Sequence, residues 1–187
     1  MKIGISHIME CKEIFVEAVE PLHCNLIGQL ADIIWREHYG SILHIGQIDY
    51  MLAKFQSKEA VWKQIMEDGY RYFLICLSDS TCNGIVETMV SSAVGYFGVK
   101  ADAGKLFLSK FYILKESRGK GLGTASMHFI EKYAKTNGLS SIWLTVNREN
   151  LFTIGQYKHM GFSIVEEKVA DIGNGYVMDD YVMEKIF

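Results

Sequence analysis

Two hydrophobic periods divide the chain. From Pro21 to about His38, Leu22, Leu26, Leu30, Ile33 and Ile34 recur at helical spacing, with proline in the first turn and Gly40 as the stop. Ile48, Met51, Leu52 and Phe55 mark a short amphipathic segment. Ser57 then caps a helix carrying Val61, Trp62, Ile65 and Met66, which Gly69 closes. Before these, residues 1–10 show no pattern, and residues 14–19 are rich in β-formers and predict a first strand. From Tyr70 the period shortens. Residues 71–77, 92–99 and 106–114 predict three strands in an antiparallel meander, with turns at 78–82 and 101–104. Residues 83–91 fit either a continued hairpin or an extra strand. A helical stripe of Leu122, Ala125, Phe129, Ile130, Tyr133 and Ala134 runs to the Asn137-Gly138 stop. The strand at 141–146 is reached by a helical crossover and should lie parallel to the 106–114 strand. A helix at 150–159 and strands at 162–169 and 176–185, joined through Asn174-Gly175, complete the order. The pattern predicts an α/β fold: a mixed sheet with helices on both faces.

With 187 residues, 49% hydrophobic and 22% charged, the chain reads as a single domain over 1–187. A net charge of -3 without a basic stripe argues against nucleic acid. Cys11, Cys24, Cys76 and Cys82 form no C-x-x-C pair and the six histidines no H-E-x-x-H, so no metal is expected. Free thiols suit a reducing cytoplasm. No signal peptide is visible in Met1 to Met9, where only Lys2 is basic. No span approaches the roughly 20 apolar residues that cross a bilayer, so a cytoplasmic protein without a membrane partner is expected.

The candidate chemistry lies at Arg118-Gly119-Lys120-Gly121-Leu122-Gly123-Thr124, between a predicted strand and a predicted helix. Glycine lets a ligand approach the backbone, and the first N–H groups of a helix attract negative charge, so the stretch reads as a phosphate cradle. A dinucleotide fingerprint needs a third glycine or alanine where Ser126 stands, and a G-x-x-x-x-G-K-[S/T] loop is absent. The bland reading is a tight turn and nothing more.

Arg118-x-x-Gly121-x-Gly123, followed by Asn150, Tyr157 and Gly161-Phe162, resembles the GNAT acetyltransferases. The two motifs cover about residues 106 to 162, and the element order extends the resemblance over most of the chain. More distantly, residues 173–185 look like the last hairpin of bacterial polyamine acetyltransferases. The resemblance implies about seven strands with a splayed central parallel pair, acetyl-CoA as co-substrate, an amine acceptor and, as in many members, a homodimer. It implies that N–H groups from Gly119 to Thr124, here Gly119, Lys120, Gly121, Leu122, Gly123 and Thr124, hold the pyrophosphate, with charge from Arg118 and Lys120. Pantetheine would lie along the main chain of Phe111, Ile113 and Leu114, with a backbone N–H near Ile113 polarising the thioester carbonyl. Tyr157 would protonate the leaving thiolate, and Asn150 would cap the last helix, bind the pantetheine amide, or both.

One departure stands out. Many members carry an acid on the fourth strand as base, whereas residues 106–114 contain none; Ser109, Lys110 and Tyr112 fill the polar slots. Glu37, Glu87, Glu149 and Asp180 are the alternatives. Lys110 would disfavour a cationic acceptor, while Asp179 and Asp180 would favour one. Tyr39, residues 47–50 and Tyr176 are acceptor-site candidates. The acceptor is a polyamine, another small amine or a protein amino group. The rival readings are a non-catalytic CoA-binding or regulatory domain on the same fold, and a nucleotide-binding module.

Overall fold

A computed structural model describes residues 12–78 and 90–187. The N-terminal lead-in, the turn after residue 78 and most of the 83–91 segment, with Cys11, Cys82 and Glu87, lie outside the described residues. The elements are β1 (Lys12–Glu17), α1 (Pro21–Tyr39), α2 (Ile45–Met51), α3 (Lys58–Met66), β2 (Arg71–Ser78), β3 (Ala93–Asp102), β4 (Lys105–Ile113), α4 (Leu122–Thr136), β5 (Ser141–Asn147), α5 (Leu151–His159), β6 (Ser163–Gly173) and β7 (Tyr176–Ile186). They build a seven-stranded mixed sheet in the order β1-β2-β3-β4-β5-β7-β6. Neighbours are antiparallel except β4 and β5, the expected parallel pair.

Strand alternation feeds two cores. Tyr72, Leu74 and Cys76 of β2 face α1 to α3 and pack with Ile27, Ile34 and Trp35. Phe73 and Ile75 face the opposite way, toward Ile130 and Ala134 of α4 and Ile154 and Tyr157 of α5. Helices therefore cover both faces, as the pattern predicts.

Three local features differ from the sequence expectation. The amphipathic run 48–55 is divided: α2 ends at Met51 and a π-helical turn follows over Leu52–Gln56. Tyr96 and Gln64 hold that turn from outside. Tyr96 donates to Gln56 Oε1 at 2.8 Å, and the Phe55 carbonyl accepts from Gln56 Nε2 at 2.9 Å and Gln64 Nε2 at 3.0 Å. Second, β6 and β7 are longer than the hydrophobic pattern suggests, while the hairpin expected at Asn174-Gly175 is present as a two-residue turn with φ 55° and 75°, a type I′ geometry. Third, β4 carries a bulge. Phe111 pairs with Phe97 but Leu108 with Val99, so Ser109 and Lys110 together oppose Gly98. The extra residue switches which side chains face α4 and α5, from Leu106 and Leu108 to Phe111 and Ile113. Tyr112 is thereby turned toward α1.

Candidate active site

β4 and β5 pair only at Leu106 with Ile142 and Phe107 with Trp143, although they run on to Ile113 and Asn147. Beyond those two pairs the strands part. The bond from the Leu114 N–H to the Val94 carbonyl, 2.8 Å, sets the phase of the β3–β4 ladder. Gly95 and Ile113 are then a non-hydrogen-bonded pair, so Phe111 and Ile113 turn their N–H and C=O groups away from β3 and toward the gap. A cavity of about 740 Å³ fills this gap, lined by β4 residues Phe107 to Ile113 on one side and β5 residues Leu144 to Asn147 on the other.

At one end the cavity meets the glycine turn. Arg118 folds back, its Nε donating to the Ile113 carbonyl at 2.9 Å, which ties the strand end to the turn. Gly121 precedes α4 at φ 82°, a left-handed conformation that disfavours any side chain. No side chain caps α4 and no acid stands in its first turn, leaving the first N–H groups free of side-chain capping at the cavity's edge. Arg118, Gly119, Leu122 and Gly123 line the cavity.

The other end is aromatic. Trp35 and Tyr39 of α1 pack with Tyr112, the rings of Trp35 and Tyr39 5.1 Å apart and those of Trp35 and Tyr112 5.8 Å apart. The Tyr39 and Tyr112 hydroxyls lie 3.4 Å apart. The π turn presents the Phe55 ring, over which Lys110 Nζ sits at 5.7 Å. Lys110 occupies the bulge at φ 76°. Gly98 makes room for it: a Cβ there would stand 2.7 Å from the Ser109 carbonyl and 2.8 Å from Tyr72 Cε1. Burial lowers the Lys110 pKa to about 8.

Four polar side chains, Asp180, Tyr157, His38 and Asn150, also line the cavity. Asp180 of β7 is 5% exposed and lines the cavity, and burial raises its pKa to about 6 while a hydrogen bond from Thr145 opposes the rise. Its neighbour Asp179 points out to Arg148. Tyr157 of α5 is buried, and desolvation, with Tyr39 nearby, pushes its phenol above the ordinary value. His38, at the end of α1, has its pKa lowered by burial and by the charge of Arg118. Asn150, also buried, accepts the Thr153 N–H at 3.3 Å and donates from Nδ2 to His38 Nε2 at 2.8 Å. Since that nitrogen is an acceptor, the neutral imidazole carries its proton on Nδ1.

Of the residues singled out from sequence, Phe111, Ile113, Arg118, Gly119, Leu122, Gly123, Asn150 and Tyr157 all line the one cavity. Leu114, Lys120, Gly121 and Thr124 are not among its lining residues, and the Leu114 N–H is engaged by β3. Asn150 performs the capping role. Among the candidate bases, Glu37 and Glu149 are exposed and do not line the cavity, Glu87 lies outside the described residues, and Asp180 is inside. Tyr39 and Gln47 line the cavity. Tyr50 instead donates to the Ile172 carbonyl at 2.7 Å and packs on Tyr176, tying α2 to the last hairpin. His38 and Trp35 carry no sequence signal that distinguishes them from an ordinary helix end and core. Among the described residues no cluster of His, Cys, Asp or Glu is arranged to hold a metal, and no helix is long and apolar enough to cross a membrane.

The family described as "Acetyltransferase (GNAT) family" matches residues 29–162. "Uncharacterized N-acetyltransferase YobR" from Bacillus subtilis (strain 168) is 38% identical over 60 residues, 32% of this chain; that match spans 24% of the relative's length. Among solved structures, the PaiA N-acetyltransferase from Thermoplasma acidophilum in complex with coenzyme A superposes with a TM-score of 0.69 at 18% identity, covering 93% of this chain and 99% of that one. A spermidine N-acetyltransferase SpeG chimera from Vibrio cholerae and hSSAT gives 0.62 at 19% identity, covering 93% and 95%.

Proposed function

This chain belongs to the acetyltransferase (GNAT) family, and from that premise we propose that it moves an acetyl group from acetyl-CoA directly onto an amine. The observation that carries the reading is the parting of β4 and β5 after two residue pairs, with the Phe111 and Ile113 peptide groups turned into the gap. A pantetheine arm has amide groups that suit such an unpaired strand edge. Its diphosphate suits the uncapped start of α4 beside Gly119 to Thr124, with Arg118 and Lys120 adding charge.

In this reading the Ile113 N–H meets the thioester carbonyl and stabilises the oxyanion as the amine attacks. Asp180 takes the proton the amine loses; with a pKa of about 6 it is ionised at neutral pH and still basic enough to act. The tetrahedral intermediate collapses, the C–S bond breaks, and Tyr157 donates its proton to the departing thiolate. A phenol whose pKa is raised by burial holds that proton throughout the neutral range. Asn150 serves as cap and as the link to His38, which stays neutral.

The test is acetyl-CoA turnover over a panel of small amines, polyamines and peptides, comparing wild type with Tyr157→Phe. A loss of about 10²- to 10⁴-fold in kcat with little change in KM supports Tyr157 as the acid. Equal rates remove it from the mechanism. Tight acetyl-CoA binding without turnover of any amine would make the protein a CoA-binding regulatory domain instead.

A further inference from the structure

We propose that the acceptor carries a carboxylate as well as its amine, and that Lys110 holds that carboxylate. The proposal rests on the acetyl-transfer reading and specifies its acceptor end. Lys110 stands in β4 and lines the cavity, with its ammonium 5.7 Å from the centre of the Phe55 ring, which lines the same cavity. Among the described residues no carboxylate lies within ion-pair distance of it. Asp68 lines the same cavity but is exposed to solvent and makes no ion pair with Lys110. Lys110 is half-buried, an ammonium partly withdrawn from water without a partner is costly, and a lysine at φ 76° adds backbone strain that glycine would avoid.

Two local costs at one residue, inside the cavity and on the strand that borders the reacting thioester, mark a site kept for a ligand. The surroundings are arranged to keep it so. Gly98 admits the bulge, and the π turn, pinned by Tyr96 through Gln56, sets the Phe55 ring beneath the ammonium. The lowered pKa of Lys110 is what an unpaired cation shows, and an incoming carboxylate would reverse it.

Placement also argues for the class of molecule. Lys110 lies three residues before Ile113, on the order of 10 Å along an extended strand. An acceptor reaching from Lys110 to a thioester at the Ile113 N–H therefore needs only a short span between its carboxylate and its amine. An amino acid with an apolar or aromatic side chain fits, because Trp35, Tyr112, Phe55 and Met178 line the same end. A polyamine would bring a second ammonium against Lys110, which costs binding.

The experiment measures kcat/KM with acetyl-CoA for phenylalanine, phenylalanine amide, phenethylamine and spermidine, in wild type and Lys110→Gly. Glycine takes φ 76° without strain, so the variant keeps the fold and should melt no lower than wild type. Wild type is expected to favour the acid over its amide by at least about tenfold, and Lys110→Gly to cut that ratio by about 10- to 100-fold. A wild-type preference for the amide or spermidine, or an unchanged ratio in the variant, overturns the proposal. If no amine at all is turned over, acetyl transfer itself fails, and the carboxylate site is read separately by calorimetry. N-acetylphenylalanine titrated into the protein–CoA complex should bind at least about tenfold more weakly to Lys110→Gly. Equal binding, or none to wild type, overturns it.

Discussion

The Asn150 amide donates to His38 Nε2 at 2.8 Å, joining the start of α5 to the end of α1, and both residues line the cavity. The same Asn150 side chain accepts the Thr153 N–H, so one residue starts a helix and sets the tautomer of a histidine on the opposite wall. His38 Nε2 has its lone pair engaged by that bond, so it is not free to take a proton.

Asn150→Ala should therefore lose more than a cap. The expected loss is about 1–2 kcal/mol in denaturant unfolding, since a buried cap bond and a buried amide–imidazole bond go together. Nitrogen chemical shifts of His38 should show the Nδ1–H tautomer in wild type and a tautomer mixture in the variant.

Asp180→Asn should separate stability from activity. A carboxyl whose pKa rises from 3.8 unfolded to about 6 folded holds its proton more tightly in the native state. Its penalty is absent below about pH 4, grows as pH climbs to 6 and is complete above that. The variant should then be more stable by up to about 3 kcal/mol at pH 7.5 and gain nothing at pH 4, as read by urea unfolding. Turnover should fall by about 10²- to 10⁴-fold, and the wild-type acid limb of kcat/KM near pH 6 should disappear.

The glycines of the turn should answer in opposite directions. Gly121→Ala places a side chain at φ 82° and is expected to cost about 1–2 kcal/mol of stability. Gly123 sits inside α4, where a Cβ meets only Met160 Cε at 3.8 Å, so Gly123→Ala should stabilise by about 0.5–1 kcal/mol. Because Gly123 lines the cavity, that same methyl should weaken acetyl-CoA binding in a calorimetric titration.

Gly98→Ala tests the bulge. Its Cβ would press on the Ser109 carbonyl, a backbone atom that cannot swing aside, and on the Tyr72 ring. A loss of about 1–3 kcal/mol in thermal unfolding is expected, together with a disturbed Lys110 resonance.

Much of this architecture is legible in the chain because local signals and tertiary packing agree. The α4 stripe, with Gly121 before it and Asn137-Gly138 after it, fixes both helix ends within a residue. What cannot be read depends on partners far away in sequence. The π turn is set by Tyr96, 40 residues beyond Gln56. The bulge sits where Gly98 leaves space for the Ser109 carbonyl and the Tyr72 ring, which no periodicity records. Asp179 and Asp180 are adjacent and chemically alike, and only the register pairing Asp180 with Asn147 sends one to solvent and the other into the cavity. The glycine turn follows from a compact motif, while the aromatic lining of the cavity brings together Trp35, Phe55 and Tyr112 from far apart in the chain.

The most direct measurement is the stoichiometry of acetyl transfer: thiol released from acetyl-CoA against acetylated amine formed, followed by mass spectrometry with an amine panel that includes amino acids and diamines. One acetylated amine per thiol, dependent on the amine and lost in Tyr157→Phe, is the predicted result. Thiol release that ignores every amine, or no release at all beside tight CoA binding, would contradict it.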